Sequence, residues 1–324
     1  MTASRPLVSV VTPTLNRAKL LEVTMRSIRT QTFRNFEHII VDGGSSDDTL
    51  EVLARSEGTY PVRWLVEPDD GMYQAINRGL AAARGEILAY LNSDDLYLPW
   101  ALEVVAEYFQ SHPATDFAYG GVIAVDDATG AEHLRFQPRF DLDYIRRYGF
   151  LVQPGVFWRR RALNSEGGFD ESLSYVADCD YWMRAGRRCT FGRLEEFVAI
   201  ERNHESTLRE SQGEAVMAEL SMVRSRYVRT SGMRHRMVMI KHRLTRYAWL
   251  AADWGQFIVW AGVPWRQHGP WSRLLMSGTR PHLLAILRAL WRRGKPVPLA
   301  TVTSRRDWRD PQPHPAPRRD HAAP

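Results

Sequence analysis

The chain has 324 residues, of which 44% are hydrophobic and 25% are charged, and its net charge is +6. A chain of this size and composition can bury a sizeable core, which excludes a disordered scaffold and indicates more than one structural unit. The two cysteines, Cys179 and Cys189, are too few for a disulfide framework and lack the spacing of a metal motif. They fit a reducing compartment.

Short apolar runs alternate with helical patterns in the N-terminal half of the chain. Residues 8–11, 38–41 and 62–66 predict strands, and each run ends in polar and turn residues. Apolar residues at helical spacing follow each run, so the repeating unit is strand, loop and helix. This alternation predicts a parallel sheet whose loops converge on one edge.

The fourth predicted strand contains the most informative stretch, EILAYLNSDD at residues 86–95. An apolar strand there runs directly into two carboxylates, Asp94 and Asp95. Open α/β sheets bind ligands at the carboxyl ends of their strands, and Mg²⁺ or Mn²⁺ takes carboxylate oxygens while also binding substrate phosphates. The pattern favours a divalent-cation site for a nucleotide-phosphate substrate. The alternative is that the two carboxylates cap a helix beginning near Leu98.

Four strings resemble the family-two inverting glycosyltransferases, which have the GT-A fold. They are TPTLNR from Thr12, QTFRNFEHIIVDGGSSDDT from Gln31, EPDDGMYQAINRGLAAARGEILAYLNSDD from Glu67 and GGFDESLSYVADCDYWMR from Gly167. Within that family the chain is most similar to the bacterial exopolysaccharide, colanic-acid-like type. The resemblance covers about residues 7–209 and implies an α/β, Rossmann-like nucleotide-diphospho-sugar transferase domain.

The resemblance also implies a nucleotide-sugar site at the ends of the first strands. Asp42 would accept a hydrogen bond from the base, and a carboxylate suits the imide N–H of uracil or thymine, which favours UDP or dTDP sugars. The alternative is that Asp42 caps a helix predicted over residues 45–54. The other implied nucleotide-sugar contacts are Thr12, Pro13, Asn16, Asp69, Asn77, Asp94 and Arg209.

Asp94 and Asp95 match the second half of the family's DXD-type motif. The resemblance implies that Asp95 binds the metal and that Asp94 contacts the ribose or the donor sugar. Ser93 stands at the leading acidic position, so Mg²⁺ or Mn²⁺ would keep waters and diphosphate oxygens as ligands. His204, in the string ERNHESTLR, would complete the metal shell. A structural histidine is the alternative.

The string VADCDYW contains the predicted catalytic base. Asp178 aligns with the aspartate of the family's ED pair, and Asp180 follows two residues later. Inverting transfer needs one carboxylate near the acceptor hydroxyl and a cation on the phosphates. Asp178 is predicted as the base, with a helix cap as the alternative. Asp180 is predicted on the acceptor side, where it would orient a helix or a basic side chain.

One aromatic residue, Trp158 in QPGVFWRR, is a candidate for the acceptor side as well. An indole ring could stack on a sugar. A tryptophan beside Phe157 is also typical of a hydrophobic core, and this alternative stays open at the level of the sequence.

Charge divides the chain. Residues 221–324 hold 20 Lys and Arg against 4 Asp and Glu, a charge of +16, whereas residues 1–220 hold 23 against 33, a charge of −10. The basic part also contains seven of the eleven tryptophans. We therefore expect a glycosyltransferase domain over residues 1–220, a basic Trp-rich helical extension over 221–304 and a disordered tail over 305–324.

The basic extension suggests where the protein works. Basic residues mixed with Trp and Leu suit an anionic membrane surface, and packing on the catalytic domain or on a second subunit is the alternative. Residues 247–265 include Asp253, Gln256 and Pro264, which argues against a transmembrane span. No nucleic-acid-binding motif accompanies the charge. We expect no signal peptide, and a cytoplasmic protein that is peripheral at the inner face of the plasma membrane.

The patterns and the family resemblance together imply a metal-dependent, inverting, non-processive, hexosyltransferase-like glycosyltransferase. The expected donor is a nucleoside diphosphate sugar, and the expected acceptor is a hydroxyl of a glycan or lipid-linked molecule in cell-surface polysaccharide synthesis. Processive synthases of the superfamily carry a QxxRW string and several membrane spans, which the sequence lacks. A nucleotidyltransferase, which would need a Gly-rich loop after the first strand, and a non-catalytic nucleotide-sugar-binding protein are the alternatives.

Overall fold

The structure is a computed structural model. It describes residues 5–130, 132–135, 137, 140–148, 151–207 and 211–227. Residues 228–324, which include most of the predicted extension and all of the predicted tail, lie outside the described residues, as does Arg209.

The described part of the chain alternates strands and helices, as the sequence predicts. Its strands are β1 (Val8–Thr14), β2 (Phe36–Asp42), β3 (Val62–Val66), β4 (Ile87–Tyr90), β5 (Leu96–Tyr97), β6 (Phe117–Asp126), β7 (Glu132–Arg135), β8 (Val156–Arg159) and β9 (Phe191–Asn203). Its α-helices are α1 (Ala18–Arg29), α2 (Thr49–Ser56), α3 (Met72–Ala82), α4 (Ala101–Ser111), α5 (Leu142–Tyr148), α6 (Arg160–Glu166), α7 (Ala177–Ala185) and α8 (Gly213–Tyr227).

These strands form one sheet in the order β3-β2-β1-β4-β8-β6-β9-β5, with β7 paired to β6. The first four strands of this order are mutually parallel, as predicted. β8 runs antiparallel to both β4 and β6, so the second half of the sheet is mixed. The predicted α/β, Rossmann-like fold is confirmed, and the carboxyl ends of β1 to β4 form one edge where their loops meet.

Helices cover the parallel strands through apolar faces at helical spacing. α1 buries Leu21 and Ile28, and α3 packs against β1 and β2. Gly79 lets α3 approach β1 closely, because a Cβ atom at this position would collide with the side chain of Val11. The loops at both ends of these helices are therefore fixed against the sheet.

The second half of the core is aromatic and corrects one prediction. Trp158 in β8 is fully buried, and its ring centroid lies 5.7 Å from that of Trp182 and 6.1 Å from those of Phe169 and Tyr181. A ring enclosed in this way has no open face on which a sugar could stack. Trp158 is therefore part of the hydrophobic core, and the prediction that it contacts the acceptor is corrected.

The last described helix, α8, crosses the predicted domain boundary at residues 220 and 221. It packs against α7, and Val223 is its fully buried residue. Among the helices within the described ranges, none is both long enough and apolar enough to cross a membrane.

Candidate active site

Hydrogen bonds join the loop after β1 to the loop after β2. Asn16 accepts the N–H of Ser46 on Oδ1 at 2.7 Å and donates its own N–H to the hydroxyl of Ser45 at 2.7 Å. Its φ of 52° is a left-handed conformation that asparagine adopts more readily than most residues. Asn16 therefore shapes the predicted nucleotide pocket by holding these two loops together.

Asp42 closes the turn that follows β2. Its buried carboxylate accepts the N–H of Gly44 at 3.1 Å, the N–H of Ser45 at 2.9 Å and the hydroxyl of Ser45 at 2.5 Å. α2 begins at Thr49, whose N–H is accepted by Asp47, so Asp42 does not cap this helix. Oδ2 accepts two of these hydrogen bonds and Oδ1 accepts one, so one acceptor position on Oδ1 is left. A contact of Asp42 with a nucleotide base stays a prediction.

Asp69, in the loop after β3, lies against the turn that Asp42 closes. A Cβ atom on Gly43 would stand 2.6 Å from Oδ2 of Asp69, so a glycine is needed there for close approach. Burial raises the pKa of Asp69, and the charges of Asp42 and Asp70 act in the same direction. Asp70 itself is exposed. The structure thus brings Asp42 and Asp69 together.

Thr12 and Pro13 are buried within β1. The hydroxyl of Thr12 lies 2.9 Å from Nε2 of His38, whose Nδ1 lies 2.8 Å from the hydroxyl of Tyr60. Burial lowers the pKa of His38 to about 3. The Thr12 hydroxyl is therefore engaged inside the sheet, and a nucleotide contact at this position would involve other atoms of the strand.

Asn77 on α3 is tied to the loop between α6 and α7. Its Nδ2 donates to the carbonyl of Phe169 at 2.9 Å and to Oε1 of Glu171 at 2.8 Å, and its Oδ1 accepts the N–H of Phe169 at 2.9 Å. Both amide hydrogens are used. Asn77 therefore organises the GGFDES loop, and its contact with a nucleotide-sugar stays a prediction.

Asp94 is the centre of a charged cluster. Its Oδ2 lies 2.6 Å from Nη1 of Arg17 and 3.2 Å from Nε2 of His204. Arg17 also donates to the carbonyl of Ser206 at 3.3 Å. Burial opposes ionisation of Asp94, but the hydrogen bond from His204 and the charge of Arg17 lower its pKa. Loops after β1, β4 and β9 thereby converge on one carboxylate.

Asp95 has a different environment from its neighbour. Its buried Oδ1 accepts the N–H of Arg202 at 3.1 Å. Burial raises the pKa of Asp95 well above its ordinary value, and the charges of Asp94 and Glu201 raise it further. The carboxylate that contacts His204 is that of Asp94. The assignment of Asp95 and His204 as metal ligands stays a prediction.

The donor atoms fit a cation only in part. In the described ranges, no group of three or more His, Cys, Asp or Glu side chains could hold a metal ion by itself. Asp94 and His204 supply two donors, and Mg²⁺ or Mn²⁺ needs about six ligands. Such an ion would depend on diphosphate oxygens and waters, as Ser93 predicts.

Asp178 lies at the start of α7. Its Oδ1 accepts the N–H of Cys179 at 2.7 Å and lies 3.5 Å from the hydroxyl of Tyr73. Tyr73 donates the same hydroxyl to the carbonyl of Tyr175 at 3.0 Å. Asp178 is the second residue of α7, whose N-cap position is Val176 and has no side-chain cap, so Asp178 does not cap this helix. Through Tyr73 its carboxylate also contacts α3.

Tyr90, at the end of β4, links the two acidic regions. Burial raises the pKa of Tyr90, and the charges of Asp178 and Asp95 raise it further. The ring centroid of Tyr90 lies 5.3 Å from that of Phe169, and Phe169 stacks on Tyr73, whose hydroxyl lies 3.5 Å from Oδ1 of Asp178. Packing thus connects the candidate base to the strand that precedes the aspartate pair. Their loops are distant in sequence and meet at the same end of the sheet.

Asp180, predicted on the acceptor side, anchors the last helix instead. Its buried Oδ1 accepts the hydroxyl of Tyr227 at 2.8 Å and lies 3.4 Å from Nη1 of Arg226, and its Oδ2 lies 3.6 Å from Nε of Arg184. The prediction that Asp180 orients a basic side chain agrees with these contacts. Its burial corrects the prediction of an acceptor contact.

Three residues of the site were missed by sequence reasoning: Arg17, Tyr73 and Glu219. Arg17 and Tyr73 stand inside the strings TPTLNR and EPDDGMYQA, so the motifs contain a signal for both. Glu219 binds backbone N–H groups, which leave no pattern in side-chain identity.

Comparisons with known proteins found similar glycosyltransferases. A model of the family described as "Glycosyl transferase family 2" matches residues 9–167. A PGL/p-HBAD biosynthesis glycosyltransferase of Mycobacterium bovis is 33% identical over 182 residues, which covers 55% of this chain and 69% of that protein. An uncharacterized glycosyltransferase of Mycobacterium tuberculosis is 30% identical over 189 residues, 57% of this chain and 71% of that protein.

Solved structures share the fold. TarS 1-349 of S. aureus in complex with UDP-GlcNAc has a TM-score of 0.56 at 20% identity, covering 67% of this chain and 65% of that one. The mannosyltransferase PcManGT of Pyrobaculum calidifontis, in complex with GDP-Man and Mn²⁺, has a TM-score of 0.56 at 19% identity, covering 90% and 88%. The chain spans 39% of a longer TarS structure.

Proposed function

The chain belongs to glycosyl transferase family 2, and we propose that it transfers one sugar from a nucleoside diphosphate sugar to an acceptor hydroxyl, with inversion at the anomeric carbon. Membership confirms the predicted enzyme class, a glycosyltransferase. The inverting and non-processive course, the cation and the acceptor are parts of the proposal.

One observation carries this proposal: packed aromatic rings connect Asp178 to the end of the strand that precedes Asp94 and Asp95. The Tyr73 hydroxyl lies 3.5 Å from Oδ1 of Asp178, the Tyr73 ring stacks on Phe169, and the ring centroid of Phe169 lies 5.3 Å from that of Tyr90, the last residue of β4. An inverting transfer needs a base at the acceptor hydroxyl and positive charge at the departing diphosphate, within the length of one donor sugar of each other. Asp178 offers the base, and the cluster of Arg17, Asp94 and His204 beside Asp95 offers the diphosphate end.

In the proposed reaction Asp178 takes the proton of the acceptor hydroxyl. The hydroxyl oxygen forms a bond to the anomeric carbon while the bond from that carbon to the diphosphate oxygen breaks, so the configuration inverts. The N–H of Cys179 at 2.7 Å and the Tyr73 hydroxyl at 3.5 Å orient the carboxylate for this transfer.

Asp94 and His204 are the proposed protein ligands of Mg²⁺ or Mn²⁺. When bound, the cation supplies positive charge to the diphosphate. Arg17 adds a guanidinium, whose planar fork matches phosphate oxygens. The Mn²⁺ in the PcManGT complex supports a cation in this fold. Asp95 holds the loop through the N–H of Arg202.

Further residues support proposals for the identity of the donor and of the acceptor. Asp42, in the turn after β2, and Asp69, in the loop after β3, are proposed to bind the nucleotide-sugar, with UDP or dTDP favoured because the carboxylate of Asp42 can accept the imide N–H of uracil or thymine. The proposed acceptor is a glycan or lipid-linked hydroxyl in cell-surface polysaccharide synthesis, at the inner face of the plasma membrane. The +16 charge of residues 221–324 supports contact with anionic lipid.

A thermal-shift panel of UDP, dTDP and GDP sugars, each with and without Mn²⁺, tests donor binding. A ligand that binds only the folded state at 100 times its dissociation constant stabilises that state by about 2.7 kcal/mol. We expect a cation-dependent shift with one nucleotide class. An unchanged melting temperature with every nucleotide would contradict the proposed donor site.

The variant Asp178→Asn separates binding from transfer. We expect it to keep the donor-induced thermal shift and to lower the transfer rate by about 100-fold to 10,000-fold, because the amide cannot accept the proton. Glu57→Gln, an exposed substitution after α2, is the matched control. Full transfer activity in Asp178→Asn would point to a nucleotide-sugar site with a different base.

A further inference from the structure

A single carboxylate on α8 binds three consecutive backbone groups. Oε1 of Glu219 accepts the N–H of Ser174 at 2.8 Å, and Oε2 accepts the N–H groups of Tyr175 at 2.7 Å and Val176 at 2.9 Å. Hydrogen bonds to an ionised acceptor are about twice as strong as neutral ones. The segment 174–176 is therefore fixed to α8 at every N–H.

This segment leads directly into the proposed base. Val176 is the residue that precedes α7, and its carbonyl accepts the N–H of Asp180 at 3.1 Å in the first turn. Asp178 stands in that turn. The carbonyl of Tyr175 accepts the Tyr73 hydroxyl, which in turn lies 3.5 Å from Oδ1 of Asp178. Glu219 thus controls the backbone on which Asp178 is mounted.

Charge acts in the same direction as the hydrogen bonds. The N-terminus of a helix presents unpaired N–H groups and a partial positive charge, and a carboxylate beside it is stabilising. Glu219 supplies that carboxylate from a different helix, which leaves the carboxylate of Asp178 to accept the N–H of Cys179 and to lie beside the Tyr73 hydroxyl.

We propose that Glu219 is a positioning residue for Asp178, an inference that rests on the proposed function and deepens it. By holding residues 174–176, Glu219 sets the first turn of α7 and with it the direction of the Asp178 carboxylate toward the acceptor hydroxyl. α8 is accordingly part of the catalytic unit, although the change in charge at residue 220 falls within this helix.

Other contacts keep α8 in place when Glu219 is altered. Val223 is fully buried, and Tyr227 and Arg226 bond to Asp180. A substitution at Glu219 therefore releases the segment 174–176 without detaching the helix. The full chain is suitable for the test.

The test compares Glu219→Gln and Glu219→Ala with Glu214→Gln, an exposed substitution on the same helix. A glutamine has one acceptor oxygen where the carboxylate has two, so it can hold only part of the segment. A misplacement of about 1 Å can cost 100-fold in rate. We expect kcat to fall about tenfold in Glu219→Gln and about 100-fold in Glu219→Ala, with the donor KM within about twofold of wild type.

A double-mutant cycle with Asp178→Asn identifies the residue through which Glu219 acts. If Glu219 acts through Asp178, then Glu219→Ala causes no further loss of rate in the Asp178→Asn background. The same loss in both backgrounds would overturn the inference, as would a kcat that Glu219→Ala leaves unchanged.

The two proposals fail in different ways. If neither wild type nor Glu214→Gln transfers sugar from any donor, the proposed function is overturned, and the inference is overturned with it. If wild type transfers sugar and the Glu219 variants have the same kcat as wild type, only the inference is overturned.

Discussion

Arg17 and Asp94 form an ion pair, with 2.6 Å between Nη1 and Oδ2, that joins the loop after β1 to the loop after β4. His204 reaches the same Oδ2 at 3.2 Å from the loop after β9. One carboxylate oxygen is thus shared by two basic side chains from different loops. A negatively charged diphosphate that approaches this cluster would compete with Asp94 for both of them.

Removal of the guanidinium should weaken donor binding. We expect Arg17→Met to raise the dissociation constant of UDP or dTDP by about 10-fold to 100-fold, since hydrogen bonds to charged groups contribute about 1.5–3 kcal/mol. Calorimetric titration in the presence of Mn²⁺ measures the effect. Lys19→Met, an exposed substitution at the start of α1, is the matched control. Equal affinity in wild type and Arg17→Met would place the diphosphate elsewhere.

The two adjacent aspartates should differ in their metal dependence. We expect Asp94→Asn to raise the Mn²⁺ concentration for half-maximal transfer at least about tenfold, because it removes a charged ligand next to His204. Asp95→Asn keeps an oxygen for the N–H of Arg202 and should shift that concentration by less than about twofold. A Mn²⁺ titration of both variants decides between them. The reverse order would favour Asp95 as the metal ligand.

Trp158 should matter for stability and not for the acceptor. Replacement of a buried Trp by Ala costs about 3–5 kcal/mol. The cost in Trp158→Phe should be smaller, because the indole N–H finds no hydrogen-bond partner among the described residues. We expect urea unfolding to detect both losses and the acceptor KM of Trp158→Phe to match wild type. A raised acceptor KM in a stably folded Trp158→Phe would indicate sugar contact.

Acid should destabilise the protein through His38. Burial lowers the pKa of this side chain to about 3, whereas histidine in an unfolded chain titrates near about 6.5. Between these values the unfolded state binds a proton and the folded state does not. The free energy of unfolding therefore decreases as the pH is lowered. Well below pH 6.5 it decreases by roughly 1.4 kcal/mol for each pH unit.

The variant His38→Gln should remove this part of the pH dependence. We expect the free energy of unfolding, measured with urea between about pH 7 and pH 5, to fall less steeply in His38→Gln than in wild type. His112→Gln, at an exposed histidine, should retain the wild-type slope. Identical slopes in all three proteins would assign the acid sensitivity to other groups.

The bounds of an element could be predicted from the sequence where a single local pattern determines them. β3 begins and ends at the predicted residues 62 and 66, because the run VRWLV is bounded by turn residues on both sides. The predicted helix after the NSDD string begins at Ala101 and not near Leu98, since the intervening residues form the short strand β5 and a turn. The antiparallel course of β8 was not predicted, because pairing direction depends on distant strands.

Side-chain roles were harder to predict than positions. Asp94 and Asp95 are neighbours in the chain, yet one binds Arg17 and the other binds the backbone of Arg202. Their partners come from residues far along the sequence, so no local pattern distinguishes the two. Asn77 shows the same limit, because its hydrogen bonds go to a loop about ninety residues away in the sequence.

The course of α8 determines where the protein can be shortened. Composition changes at residue 220, but Val223, Arg226 and Tyr227 hold the helix to α7 and to Asp180. A truncation after residue 220 would cut the helix between Glu219 and its anchors and expose apolar surface of the enzyme. An active fragment should therefore include all residues up to Tyr227. The first residues of the basic part, 221–227, then belong to the glycosyltransferase domain.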